Sequence, residues 1–189
     1  MTVRVAINGF GRIGRLVLRA AIESKQTQLE FVAINDFGSA EVNAHLLKHD
    51  TVHGPLACDI KATGDRLVAN GFDMRVLSEA LPHRLPWKEL GVDIVMECTG
   101  IFTSKAQAGV HLEAGAKRVL VSAPADNADL TVVFADGLVS RARSSVTVVP
   151  KGVSASALVA DLPGPARRGQ PYTFAVRAVN GDVTSLGAP

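Results

Sequence analysis

The chain has 189 residues, 47% of them hydrophobic and 20% charged, and carries a formal net charge of +2. That is the balance of an ordinary globular protein with one good core, or one domain and part of a second; it excludes a low-complexity chain and gives no electrostatic reason for a nucleic-acid partner. Two cysteines make no disulfide framework, no apolar run approaches the roughly 18 residues of a membrane span, and the start lacks a secretory signal, so a cytoplasmic protein is expected.

Val3–Ile7 is continuous and β-branched, the pattern of a buried strand. Ile13, Leu16, Val17, Ala20 and Ala21 follow at helical spacing and predict one apolar helix face. Leu29–Ile34 is a second strand, and Ser39 is placed to cap a helix over Ala40–Lys48. Leu56–Ile60, Arg66–Ala69 and Phe72–Leu77 predict antiparallel strands, the last two joined by a type I′ turn at Asn70-Gly71. Pro82 and Pro86 mark a loop. Val92–Glu97 is again a buried strand, followed by a helix from Thr103 to Ala114 that stops at Gly115. Arg118–Ser122 and Leu130–Phe134 complete a set of strands alternating with helices, which predicts a parallel sheet with right-handed crossovers.

The texture changes after Phe134. Ala135-Asp136-Gly137 predicts a turn, Ser144–Val149 a strand, Ser154–Leu162 a short helix, Leu162–Pro171 a loop, Tyr172–Val179 a strand and Asn180-Gly181 a hairpin turn. Residues 136–189 hold six basic and three acidic residues and neither Cys nor His. The expected division is an α/β domain at 1–135 and a segment too short for its own core at 136–189.

The motif that organises this chain is Gly9-x-Gly11-x-x-Gly14, placed between the first strand and the first helix. Gly9 permits the tight turn, Gly11 lets a pyrophosphate approach the backbone, and Gly14 lets the helix pack on the strand. The helix then aims its free N–H groups and its dipole at the phosphates. Asp36 lies 22 residues beyond Gly14, at the end of the second strand. A carboxylate there accepts ribose hydroxyls and repels a 2′-phosphate, so the expected cofactor is NAD rather than NADP. The fold class is therefore α/β, a Rossmann-type doubly wound parallel sheet. Thr99, Gly100 and Ser122 follow strand ends, where they would line a cofactor groove or serve as ordinary loop residues.

Other features read more plainly. Cys98 ends a buried strand and is expected to be structural; Cys58 is expected to be inert. His45, His49 and His53 recur every four residues, but Gly54-Pro55 and the helix end argue against a metal face. Trp87 is expected to anchor packing, and Arg167-Arg168 to be solvated charge.

The segments AINGFGRIGR, AINDF, HLLKHDTVHG, LPWKELGVDIVMECTGIFT and HLEAGAKRVLVSAPA resemble glyceraldehyde-3-phosphate dehydrogenase, densely from Val3 to Phe134. The resemblance implies that Arg12 and Ile13 offer backbone contacts to the pyrophosphate. It implies that Asp36 holds the adenosine ribose and that Thr99, Gly100 and Ser122 lie along the nicotinamide side. The basic residue that the family places near the adenine falls on Ala80.

Beyond Phe134 the family's SNASCTTN segment, with its nucleophilic Cys, and its later base His have no counterpart. RARSSVTVVP resembles the family's RARAAALSMIP, and LVADLP and VNGDVTSL loosely follow what comes next. The family's Thr-Gly of the phosphate site becomes Lys151-Gly152, and its Arg aligns only roughly with Arg177. The resemblance thus implies a family member, internally deleted and truncated before its C-terminal helix, with an NAD-binding domain at 1–135 and a short remnant of a second α+β domain at 136–189. Oxidising an aldehyde to an acyl phosphate needs a thiolate to form the covalent thiohemiacetal and a base to take the proton, and no Cys follows Cys98 and no His follows His111. The expectation is an NAD-binding relative of a glycolytic oxidoreductase, without catalytic residues or metal. Alternatives are a non-enzymatic partner of a full-length paralogue, as a hetero- or homo-oligomer, and a relative of erythrose-4-phosphate dehydrogenase.

Overall fold

A computed structural model describes residues 2–127 and four further strands at 130–134, 144–150, 157–161 and 175–179. The first strand, β1 (Val3–Asn8), turns through the glycines into α1 (Arg12–Glu23). Then come β2 (Leu29–Asn35), α2 (Ala40–Lys48), β3 (His49–Asp50), β4 (Gly54–Pro55), β5 (Ile60–Thr63), β6 (Arg66–Ala69) and β7 (Phe72–Leu77). After a 3₁₀ turn at Pro82–Arg84 follow β8 (Ile94–Glu97), α3 (Lys105–Ala108), α4 (Val110–Glu113) and β9 (Arg118–Val121). The last four strands are β10 (Leu130–Phe134), β11 (Ser144–Pro150), β12 (Ala157–Asp161) and β13 (Ala175–Val179).

Nine strands form one sheet in the order β10-β11-β9-β8-β1-β2-β7-β6-β5. The centre, β9-β8-β1-β2-β7, is parallel throughout. Both flanks are antiparallel. This is the doubly wound α/β arrangement of the Rossmann type, with strand direction preserved where helices cross over and reversed where short turns connect. β11 lies between β9 and β10, so the sheet draws on chain from both sides of residue 135. β12 and β13 form a separate antiparallel pair.

Two apolar clusters sandwich the sheet. Leu18, Ala21 and Ile22 of α1 and Leu47 of α2 pack on Val5, Ile7, Phe31 and Ile34. On the other face Trp87, Leu85 and Val92 pack on Ala6, Val32, Ala33 and Val95. Trp87 is wholly buried, as an anchor should be.

Several elements depart from the sequence reading. The buried residues of α1 are Gly14, Leu18, Arg19, Ala21 and Ile22, whereas Ile13 and Ala20 are exposed. Gly14 sets this rotation, because a Cβ there would collide with the Gly9 carbonyl and press on Ile7, so the bare side of the helix must face the strand. The strand expected at Leu56–Ile60 begins only at Ile60. The Lys48 ammonium holds the carbonyls of Leu56 and Cys58 at 2.8 and 2.9 Å, and the Cys58 N–H turns back to the Leu56 carbonyl at 2.9 Å, a local bend rather than a ladder. The helix expected over Thr103–Ala114 is two four-residue helices meeting at Gly109, the residue with least helical preference there. The helix expected over Ser154–Leu162 is instead strand across 157–161, because pairing with β13 overrides its Ala- and Leu-rich local preference. The turns expected at 135–137 and 180–181, the 162–171 loop and Lys151-Gly152 lie outside the described residues.

Candidate functional site

The carboxyl ends of β1, β2 and β8 open onto a cleft of about 270 Å³. Gly9 takes φ +88°, and a Cβ there would sit 2.7 Å from the Thr99 backbone nitrogen; only glycine lets the β1 turn pass so near the loop after β8. Gly11 differs: nothing lies within 4 Å of the Cβ position, so the bare backbone faces open space. It is also the N-cap of α1, with no side-chain cap and no acidic residue in the first turn. An anion laid against this turn would meet unshielded helix N–H groups. Arg15 locks the turn by donating to the Phe10 carbonyl at 2.9 Å, while the Phe10 ring is buried beneath it.

Asp36 is oriented before any ligand arrives. The Phe10 N–H donates to Oδ2 at 2.9 Å and the Gly38 N–H to Oδ1 at 3.0 Å. Each oxygen keeps a lone pair for a hydroxyl. Of the expected site residues, Gly9, Gly11, Asp36 and Thr99 line the cleft together, and Ala80, Phe37, Ile101 and Phe102 are also in its lining. Gly14 is buried against β1 behind the turn. Arg12 and Ile13 begin α1 outside the concave lining, and the Arg12 guanidinium lies 3.5 Å from Asp50. Gly100, at φ +74°, and Ser122 flank the cleft without lining it. Ser122 is tied to β8 through its N–H to the Glu97 carbonyl at 2.9 Å.

Beneath the cleft runs a polar row that the sequence reading missed. Asn8 is in register with Asn35 on one side and Glu97 on the other, at the last rung of three parallel strands. Asn35 Nδ2 donates to Asn8 Oδ1 at 2.7 Å, and Asn8 Nδ2 donates to Glu97 Oε2 at 2.6 Å. Glu97 Oε1 accepts from the Thr99 N–H at 2.8 Å and from its hydroxyl. His111 Nε2 meets Glu97 Oε2 at 2.9 Å, and the Trp87 indole N–H points at His111 Nδ1 at 3.0 Å. Because Nδ1 accepts, the proton sits on Nε2 and the ring is neutral. The available signal was that three apolar strands each end on a polar residue, Asn8, Asn35 and Glu97.

Of the remaining candidates, Cys98 also lines the cleft, whereas Cys58 and the three histidines lie away from it. The rings of His45 and His49 approach to 4.8 Å, but His53 turns away to Asp50 at 3.1 Å. Cys98 is mostly enclosed; burial pushes its thiol up to about 11, with Ser122 as a hydrogen-bond partner. Burial also raises Cys58. Neither is a ready thiolate near neutrality.

The family profile described as glyceraldehyde 3-phosphate dehydrogenase, NAD binding domain, matches residues 3–105, just over half of the chain and all of the cleft. The chain belongs to the glyceraldehyde 3-phosphate dehydrogenase family. Its relatives include the glyceraldehyde-3-phosphate dehydrogenase of Xanthobacter flavus, 60% identical over 134 residues, which cover 71% of this chain and 40% of the relative. Those of Geobacillus stearothermophilus and Pseudomonas aeruginosa are 53% and 52% identical, with 71% of this chain and 39% and 40% of theirs covered. The chain thus spans about two-fifths of the length of these relatives. In the glyceraldehyde 3-phosphate dehydrogenase family this is the NAD-binding domain, and NAD is its cofactor. Among the described residues no helix is long and apolar enough to cross a membrane.

Proposed function

We propose that the chain holds NAD in the cleft between the glycine turn and Asp36, and that it does not by itself oxidise an aldehyde. The oriented carboxylate of Asp36 facing the bare Gly11 backbone carries the binding reading. Gly9, Gly11 and Gly14 shape the turn, and Arg12 and Ile13 offer backbone N–H groups to the pyrophosphate. Asp36 takes the adenosine ribose, and Thr99, Gly100 and Ser122 border the nicotinamide half. NAD would supply the hydride acceptor; the residues on hand bind and orient it. The cofactor domain is built on residues 1–135, with the strand at 144–150 completing its sheet, and the rest of 136–189 is the remnant of a second domain in an internally deleted, cytoplasmic family member.

The inactivity reading is supported by the absence of any Cys after Cys98 and any His after His111, and by a Cys98 thiol held protonated. Calorimetry at millimolar NAD tests binding, and no detectable heat would overturn it. Phosphate-dependent NADH formation from glyceraldehyde 3-phosphate, above a heat-killed control, would overturn inactivity.

A second reading is docking on a full-length paralogue through exposed apolar side chains such as Val52, 72% exposed. Light scattering of the chain alone and mixed with such a paralogue distinguishes them: a monomer that leaves the paralogue unchanged counts against docking.

A further inference from the structure

Resting on the NAD reading, we propose that Glu97 is a fixed buried anion that tunes the site toward the oxidised, positively charged nicotinamide over the reduced, neutral one. Its carboxylate is 1% exposed and accepts four hydrogen bonds, from Asn8, His111 and the N–H and hydroxyl of Thr99. All four come from neutral donors. His111 cannot supply a balancing charge, because Trp87 occupies the acceptor face of its Nδ1. The site therefore satisfies a carboxylate completely by hydrogen bonds and leaves its charge uncancelled.

Two observations aim that charge at one end of the cofactor. Asn8 and Thr99 both line the cleft and both donate to Glu97, so the carboxylate lies one side chain behind the cleft floor. The sheet reverses its winding between β1 and β8. A dinucleotide crosses at that switch point, with one nucleoside over each half of the sheet. Asp36, immediately after β2, fixes the adenosine on that half. The nicotinamide then lies on the β8 half, above Glu97. In a partly desolvated cleft, a charge at this remove alters affinity for a cationic ring about tenfold.

The test compares NAD⁺, NADH and ADP-ribose by calorimetry on the full chain and on Glu97→Gln and Glu97→Asp. The expected result for Glu97→Gln is a fall of about tenfold in the NAD⁺-to-NADH affinity ratio, with ADP-ribose unchanged. Glu97→Asp, which keeps the charge, should retain most of the ratio. An equal loss for all three ligands assigns Glu97 a merely structural role and overturns the proposal. If Glu97→Gln does not fold, the unmodified chain decides with an NAD analogue carrying a neutral benzamide ring. Binding about tenfold weaker than NAD⁺ supports the proposal, and equal affinity overturns it. If the unmodified chain binds none of these ligands, the NAD reading itself falls and takes the proposal with it.

Discussion

The Trp87 indole donates to His111 at 3.0 Å, and the far side of that imidazole reaches Glu97 at 2.9 Å. One neutral ring thus joins the packing anchor of one sheet face to the polar row beneath the cleft. Phe102, in the cleft lining, meets the same ring edge-on with centroids 6.2 Å apart. His111→Phe should therefore cost about 2–4 kcal/mol in urea unfolding, since it leaves a buried indole N–H and one carboxylate lone pair unpaired. His83→Phe, at an exposed position, should cost almost nothing. Trp87 is the only tryptophan, so its emission follows the substitution directly.

Gly9 and Gly11 should separate folding from binding. Gly9→Ala combines a positive φ with a backbone collision at Thr99, and is expected to destabilise the free protein by about 2–4 kcal/mol. Gly11→Ala meets open space and should leave the melting temperature nearly unchanged while reducing NAD affinity, as its methyl occupies the phosphate approach. Thermal melts and calorimetry on both variants check this.

Asp36→Asn should lower NAD affinity about tenfold and narrow the preference over NADP, because the neutral amide no longer repels a 2′-phosphate. Titration with both dinucleotides measures the change. An unchanged NAD-to-NADP ratio would remove Asp36 from the ribose site.

Asp50 gives a pH signature. The N–H groups of His53 and Val52 hold its carboxyl well below the ordinary carboxylate range. A depressed folded-state value means that the stabilisation is fully present above the unfolded value, about 3.9, and is lost as pH falls through the folded one. Asp50→Asn should therefore lower the melting temperature at pH 7, with the gap to the parent chain closing below about pH 4.

Cys98 should resist thiol reagents. With its thiol pushed up to about 11, only about one molecule in a thousand is thiolate at pH 8. Alkylation followed by mass spectrometry should find Cys98 modified roughly a hundredfold more slowly in the native chain than in guanidinium.

The legible parts of the fold were those governed by near neighbours. Ser39 capping Val42 and the positive φ angles of Asn70 and Gly71 follow from a few adjacent residues. The face of α1 was misread by one position, because the decisive contact is between Gly14 and Gly9 across the turn rather than the run of apolar residues. The segment at 157–161 was misread because its local preference is helical while its hydrogen bonds go to residues 175–179.

The glycine turn and the carboxylate of Asp36 could be read from neighbouring residues alone, because backbone freedom and one charge encode them. What lies beneath the turn depends on long-range pairing. Asn8 and Glu97 are 89 residues apart, and Glu97 and His111 are 14 apart on different elements. Parallel pairing of β1 with β2 and β8 brings these polar strand ends to one rung, where burial obliges them to bond to one another. No local preference records such a meeting, because its energy exists only once the sheet has closed over it.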